Sequence, residues 1–187
     1  LDLVWKSREP VMTDAGFAIM PTATFNDIAT ADILCVPGGI GVTDVMKDDA
    51  AMIWLRHVGK DAKWVTSVCT GSLILGAAGL LKGYKATSHW AWHGQLALFG
   101  AEPVKARTVF DRNRVTGGGV TAGIDFALAL TSEIRGEAHA RLVQLSLEYD
   151  PAPPFDSGSP GKVGKALLAT YAERMARLAP NREVELK

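Results

Sequence analysis

The sequence predicts an α/β fold: a three-layer sandwich with a mostly parallel central sheet and helices on both faces. Three observations predict it. Short apolar runs alternate with segments of helical period, the pattern of a sheet covered on both sides. One run, Ile33 to Val36, stops at Pro37-Gly38-Gly39, as a buried parallel strand does on leaving a sheet. Another, Trp64 to Val68, enters Cys69-Thr70-Gly71-Ser72 and then an apolar helix. In order, residues 1–5 and 17–20 read as short strands separated by turn residues. Residues 33–36 are a strand, and 43–60 a helix with Val45, Met46, Ile53 and Leu55 at helical spacing. Residues 64–68 are the next strand and 72–81 the next helix, ended by Gly83. A helix is expected over 90–99, with His89 and His93 on one face, then strands over 104–110 and 114–116. Helices follow over 121–133 and 137–149. Residues 151–162 form a Pro-rich arm (PAPPFDSGSP carries four prolines), and 163–178 an amphipathic helix. That helix packs on the domain or makes a dimer contact.

The length of 187 residues fits a single domain spanning 1–187. Lys and Arg number 20 against 20 Asp and Glu, so the chain lacks the basic excess that nucleic acid or anionic lipid attracts. The longest uncharged run, residues 64–81, just reaches the length of a spanning helix. Thr66, Ser67, Thr70, Gly71 and Ser72 in its middle favour a strand, a turn and a core helix instead. No secretory leader is legible at the start, and the composition is that of a soluble, cytoplasmic protein. Two cysteines support neither a disulfide framework nor a zinc cage.

The chemistry concentrates at Cys69. An apolar strand feeding a cysteine, followed by small residues and a helix, is the layout of a nucleophile elbow. The helix N-terminus there favours thiolate over thiol. A buried inert thiol is the alternative, and Cys35, inside an apolar strand, is read that way. Pro37-Gly38-Gly39-Ile40-Gly41 follows the neighbouring strand. Its Gly39 amide and an amide at Cys69–Thr70 form the natural pair of oxyanion donors, although an ordinary turn has the same composition. Residues 117–122 (GGGVTA) fit G-x-G-x-x-A, yet the helical pattern after them lacks the strand and acidic residue of a dinucleotide fold. They are read as helix–sheet packing or as a lining for the Cys69 pocket. His89-Trp-Ala-Trp-His93 has no Glu and no evident third ligand, so no metal is expected, and His89 is assigned to the pocket lining.

The segments PGGIG, SVCTGSLILGAAGLLKGYKATSHW and TGGGVTAGIDFAL together resemble the DJ-1/PfpI superfamily, with its glutamine amidotransferase-like branch. The tail LEYDPAPPFDSGSP is similar to that of the bacterial isocyanide hydratases within it. The resemblance covers essentially the whole chain. It implies a DJ-1-like fold, no cofactor, a homodimer and a small isocyanide as substrate. Cys69 would be the nucleophile and Thr70 its positioning neighbour; Gly39 and Ile40, with Gly118, Val120 and His89, would shape the pocket. The family also carries an acidic residue on its first strand–helix unit, in an L-D-L-x-G-P-like segment that nothing in this chain matches. About one strand plus helix is therefore expected to precede Leu1, and Asp2 and Asp125 are not promoted to that acid. The alternatives are a glyoxalase or repair-type enzyme, the ligand-sensing half of a transcription regulator, and a redox sensor using Cys69. A histidine directly after the nucleophile would favour hydrolysis, and Thr70 stands there instead.

Overall fold

The computed structural model describes residues 1–13 and 15–178; residues 179–187, within the expected domain, lie outside them. Four strands form the central sheet: β5 (Ile33–Val36), β6 (Trp64–Val68), β10 (Arg114–Gly117) and β9 (Thr108–Asp111), in that spatial order. The pairs β5–β6 and β6–β10 are parallel, as the alternation of apolar runs and helices predicts, and β10–β9 is antiparallel. Six shorter strands pair two by two. Parallel pairs join β1 (Val4–Trp5) to β4 (Ala23–Thr24) and β7 (Lys85–Ala86) to β8 (Glu102–Pro103). Strands β2 (Val11–Met12) and β3 (Ala18–Ile19) make an antiparallel pair. Asp2, expected within the first strand, precedes it and accepts a hydrogen bond from Thr22 Oγ1 (3.4 Å).

Helices cover both faces. On one, α1 (Val42–Met46), α2 (Asp49–Asp61) and α3 (Gly71–Ala77) bury Met52, Leu55, Val58, Leu73 and Leu75 against Leu34, Val36 and Val65. On the other, α4 (Ala122–Arg135) sets Phe126 and Leu130 on Val115, and α5 (Glu137–Ser146) packs on α4. The last helix, α6 (Lys165–Leu178), reaches the larger core through Met175. Among the described residues no helix is long and apolar enough to cross a membrane, and no group of three His, Cys, Asp or Glu is placed to hold a metal ion.

Three expectations change. The helix expected over 43–60 is two helices, because Asp48 caps the second by accepting from the Ala51 amide (3.0 Å). The segment 90–99 is helical only from His93 to Phe99, as a 3-10 helix closed by Gly100 at φ 73°. His89 lies in the loop before it, so the two histidines share no helical face. Cys35, expected in the core, is exposed. Leu34 and Val36 take the buried face of β5, which turns Ile33 and Cys35 to the other side. There α4 packs over β6, β10 and β9, while Ile33 and Cys35 on the edge strand β5 remain exposed.

One buried cation ties the sheet to the loop after α3. Arg114 Nε donates to the Leu80 carbonyl (2.8 Å), its terminal nitrogen donates to Asn113 Oδ1 (2.9 Å), and its guanidinium lies 4.7 Å from the Tyr84 ring centre. Arg114→Met leaves both acceptors without this donor and is expected to cost about 2 kcal/mol, read as a lowered denaturant midpoint. An unchanged midpoint would show that the bonds contribute nothing net.

Candidate active site

Cys69 occupies the turn between β6 and α3 with φ at 59°, the left-handed region that disfavours a residue with a Cβ. Holding it there costs about 1–2 kcal/mol, so the surroundings must over-determine it. They do so through its backbone. The Cys69 amide donates to the carbonyls of Gly117 (3.1 Å) and Gly118 (2.7 Å), at the end of the neighbouring β10. The Cys69 carbonyl accepts from Ser72 Oγ (3.2 Å) and Ser88 Oγ (3.1 Å). The side chain is half-buried and forms no disulfide.

The glycine loop after β5 presses on this turn. A Cβ on Gly38 would stand 2.5 Å from the Thr70 nitrogen and 2.6 Å from its Oγ1. A Cβ on Gly71 would stand 2.1 Å from the Val36 carbonyl oxygen. Only bare backbones approach so closely. Thr70 is 2% exposed, and its Oγ1 accepts from the Gly39 amide (3.1 Å) while lying 3.4 Å from the Gly39 carbonyl oxygen. The Gly39 amide, expected to face a reacting atom, is therefore engaged by Thr70.

The sheet order thus brings Cys69, Thr70, Gly39 and Gly118 together, with half-buried Ile40 next along the loop. Val120, two residues beyond Gly118 and just before α4, is 78% exposed. His89 sits over the glycine loop: a Cβ on Gly119 would meet its Cδ2 at 3.3 Å, and its Nδ1 accepts from the Ala91 amide (3.3 Å). Asp125 is committed elsewhere, pairing with Arg107 and accepting from the Tyr149 hydroxyl (3.0 Å). That pairing, beyond the capping expected of it, raises the Arg107 pKa. Sequence reasoning did not single out Ser88 or Gly38. The small residues in KATSHW and PGG were the only hint, since neither contact has a local pattern.

Residues 1–133 match the model of the DJ-1/PfpI family. An isonitrile hydratase of Pseudomonas putida is 53% identical over 174 residues, which span 93% of this chain and 76% of that protein. The HTH-type transcriptional regulator GbdR of Pseudomonas aeruginosa is 30% identical over 75% of this chain and 38% of its own length. The crystal structure of a THiJ/PfpI family protein from Pseudomonas syringae superposes with a TM-score of 0.92 at 47% identity, covering 98% of this chain and 76% of that one. Schizosaccharomyces pombe DJ-1, at 21% identity, shares the fold with a TM-score of 0.65 over 78% of this chain and 80% of its own. Matched by the family model over most of its length and by these structures in fold, the chain belongs to the DJ-1/PfpI family.

Proposed function

We propose that the protein hydrates isocyanides to N-substituted formamides, with Cys69 as the nucleophile. The observation that carries this is the strained Cys69 turn, held by Gly117, Gly118, Ser72 and Ser88, in a chain 53% identical to an isonitrile hydratase. The Cys69 thiolate forms a C–S bond to the terminal carbon of R–N≡C while that carbon takes up a proton, giving the thioimidate R–N=CH–S–Cys. Water adds across the C=N bond, its oxygen to carbon and a proton to nitrogen. Collapse of the resulting tetrahedral species breaks the C–S bond, expels the thiolate and releases R–NH–CHO with a proton. Isocyanide and water are consumed in equal amounts, and the thiolate is regenerated.

Thr70 acts here as a positioning residue, since its Oγ1 ties the Gly39 loop to the cysteine turn. Thr70→Val leaves the Gly39 amide without that acceptor and is expected to lower kcat on the order of 100-fold by misplacing the loop. Thr70→Ser keeps the oxygen and is expected to recover most of the rate. Equal rates in the two variants would remove the hydroxyl from the scheme. The decisive assay is formamide formation from an aliphatic or aromatic isocyanide, and no product from wild type overturns the hydratase reading. The similarity to a transcription regulator favours a second reading, ligand binding without chemistry, which tight isocyanide binding with no turnover would support.

A homodimer belongs to the same proposal. Leu142 and Leu145, three residues apart on one face of α5, are 59% and 78% exposed, an apolar patch suited to a second copy. Sedimentation of wild type is expected to give a dimer and Leu145→Glu a monomer; a wild-type monomer overturns the pairing.

A further inference from the structure

A cleft of about 320 Å³ opens between Trp90, the arm at residues 157–160 and α6, with Trp90, Tyr171, Leu167, Leu168 and Val163 among its walls. Its volume suits one ring on a short tether, and its aromatic walls favour a flat apolar group. A short run of contacts leads to it from the cysteine turn. The Cys69 amide is held by Gly118; the missing Cβ of Gly119 leaves room beside the His89 ring. His89 lies nearly parallel to Tyr171 (16°, centres 6.4 Å apart) and 5.7 Å from the Trp90 ring centre. Trp90 and Tyr171 are themselves 4.8 Å apart.

An isocyanide is linear at its C–N–R axis and carries no hydrogen-bonding handle of its own beyond the reacting group. With its carbon at Cys69, discrimination between substrates must come from whatever receives R, farther along that axis. Resting on the hydratase reading above, we propose that the Trp90–Tyr171 cleft receives the N-substituent and selects arylalkyl isocyanides over short alkyl ones. Methyl isocyanide carries no group to fill it, whereas the ring of an arylalkyl isocyanide matches its aromatic walls, Trp90 and Tyr171.

The test compares kcat/KM for 2-phenylethyl isocyanide with that for methyl isocyanide. The wild-type ratio is expected to exceed about 10, the lower end of pocket discrimination by apolar groups. Thr170→Trp and Leu167→Trp place a bulky ring in the cleft from exposed positions on α6, and each is expected to reduce the ratio at least tenfold. Losses of folding or general activity cancel in the ratio, which isolates the cleft. A wild-type ratio near one, or ratios in both variants within twofold of wild type, overturns the assignment. Calorimetric titration with N-(2-phenylethyl)formamide separates the two readings. If neither isocyanide is hydrated, the hydratase reading fails. The cleft still stands if the formamide binds wild type at least tenfold tighter than Thr170→Trp, and falls if the two bind alike.

Discussion

Replacing Cys69 with alanine is expected to abolish isocyanide hydration, a loss on the order of 10⁴-fold or more that leaves only background. The other hydroxyls described at the turn are engaged by the backbone, Ser72 and Ser88 with the Cys69 carbonyl and Thr70 with Gly39, and none matches a thiolate as a nucleophile. Cys69→Ser is expected to be nearly as inactive, since a serine hydroxyl is a far weaker nucleophile than a thiolate at neutral pH. Stability supplies an independent measure. Alanine keeps a Cβ at φ 59° and so keeps the strain, while glycine removes it. Cys69→Gly should therefore unfold at higher denaturant than Cys69→Ala, by about 1 kcal/mol net of glycine's greater entropy loss. Both variants should be equally inactive. Unchanged turnover in Cys69→Ala would falsify the mechanism, and a less stable glycine variant would show that the strain has been overestimated.

The second large effect is expected at Gly71. Its added Cβ would lie 2.1 Å from the Val36 carbonyl oxygen and 2.8 Å from the Pro37 carbonyl carbon and oxygen. These are backbone atoms at the end of a sheet strand, so no side-chain rotation relieves the clash. Either β5 or the start of α3 must shift, and Gly71→Ala is expected to cost about 3 kcal/mol or more, with loss of activity. Gly38→Ala meets the Thr70 nitrogen and Oγ1 instead, and should damage turnover more than stability because the Cys69–Thr70 turn is what it displaces. Gly94→Ala is the control. Nothing lies within 4 Å of its added Cβ, and its midpoint should match wild type. A stable, active Gly71→Ala would contradict the close approach of the loop to the turn.

Much of this site was legible in the chain because its parts are local. A buried parallel strand is a continuous apolar run, and Pro and Gly mark where it stops; hence residues 33–36, 64–68 and the turn at Cys69 stand where the pattern puts them. The family segments added the likeness to isocyanide hydratases, which a relative 53% identical over 93% of the chain supports. Other expectations failed for identifiable reasons. Apolar content alone placed Cys35 in the core, but the pleat turns it with Ile33 to the exposed side of β5. His89 and His93 have helical spacing, yet helix begins only at His93.

By itself, the sequence determined the alternation of strands and helices, the two glycine-rich loops and the cysteine at the end of an apolar strand. Each depends on residues within a turn or two of one another. Only the tertiary structure decided what those loops do to the cysteine. The Gly39–Thr70 bond spans 31 residues and exists because β5 and β6 lie side by side. The Ser88–Cys69 bond spans 19, with Thr87, next to Ser88, tied to Thr116 on β10 beside β6. Periodicity reports which face of an element is apolar. It carries no information about which distant backbone will close on that element, and that closure holds Cys69 at a positive φ.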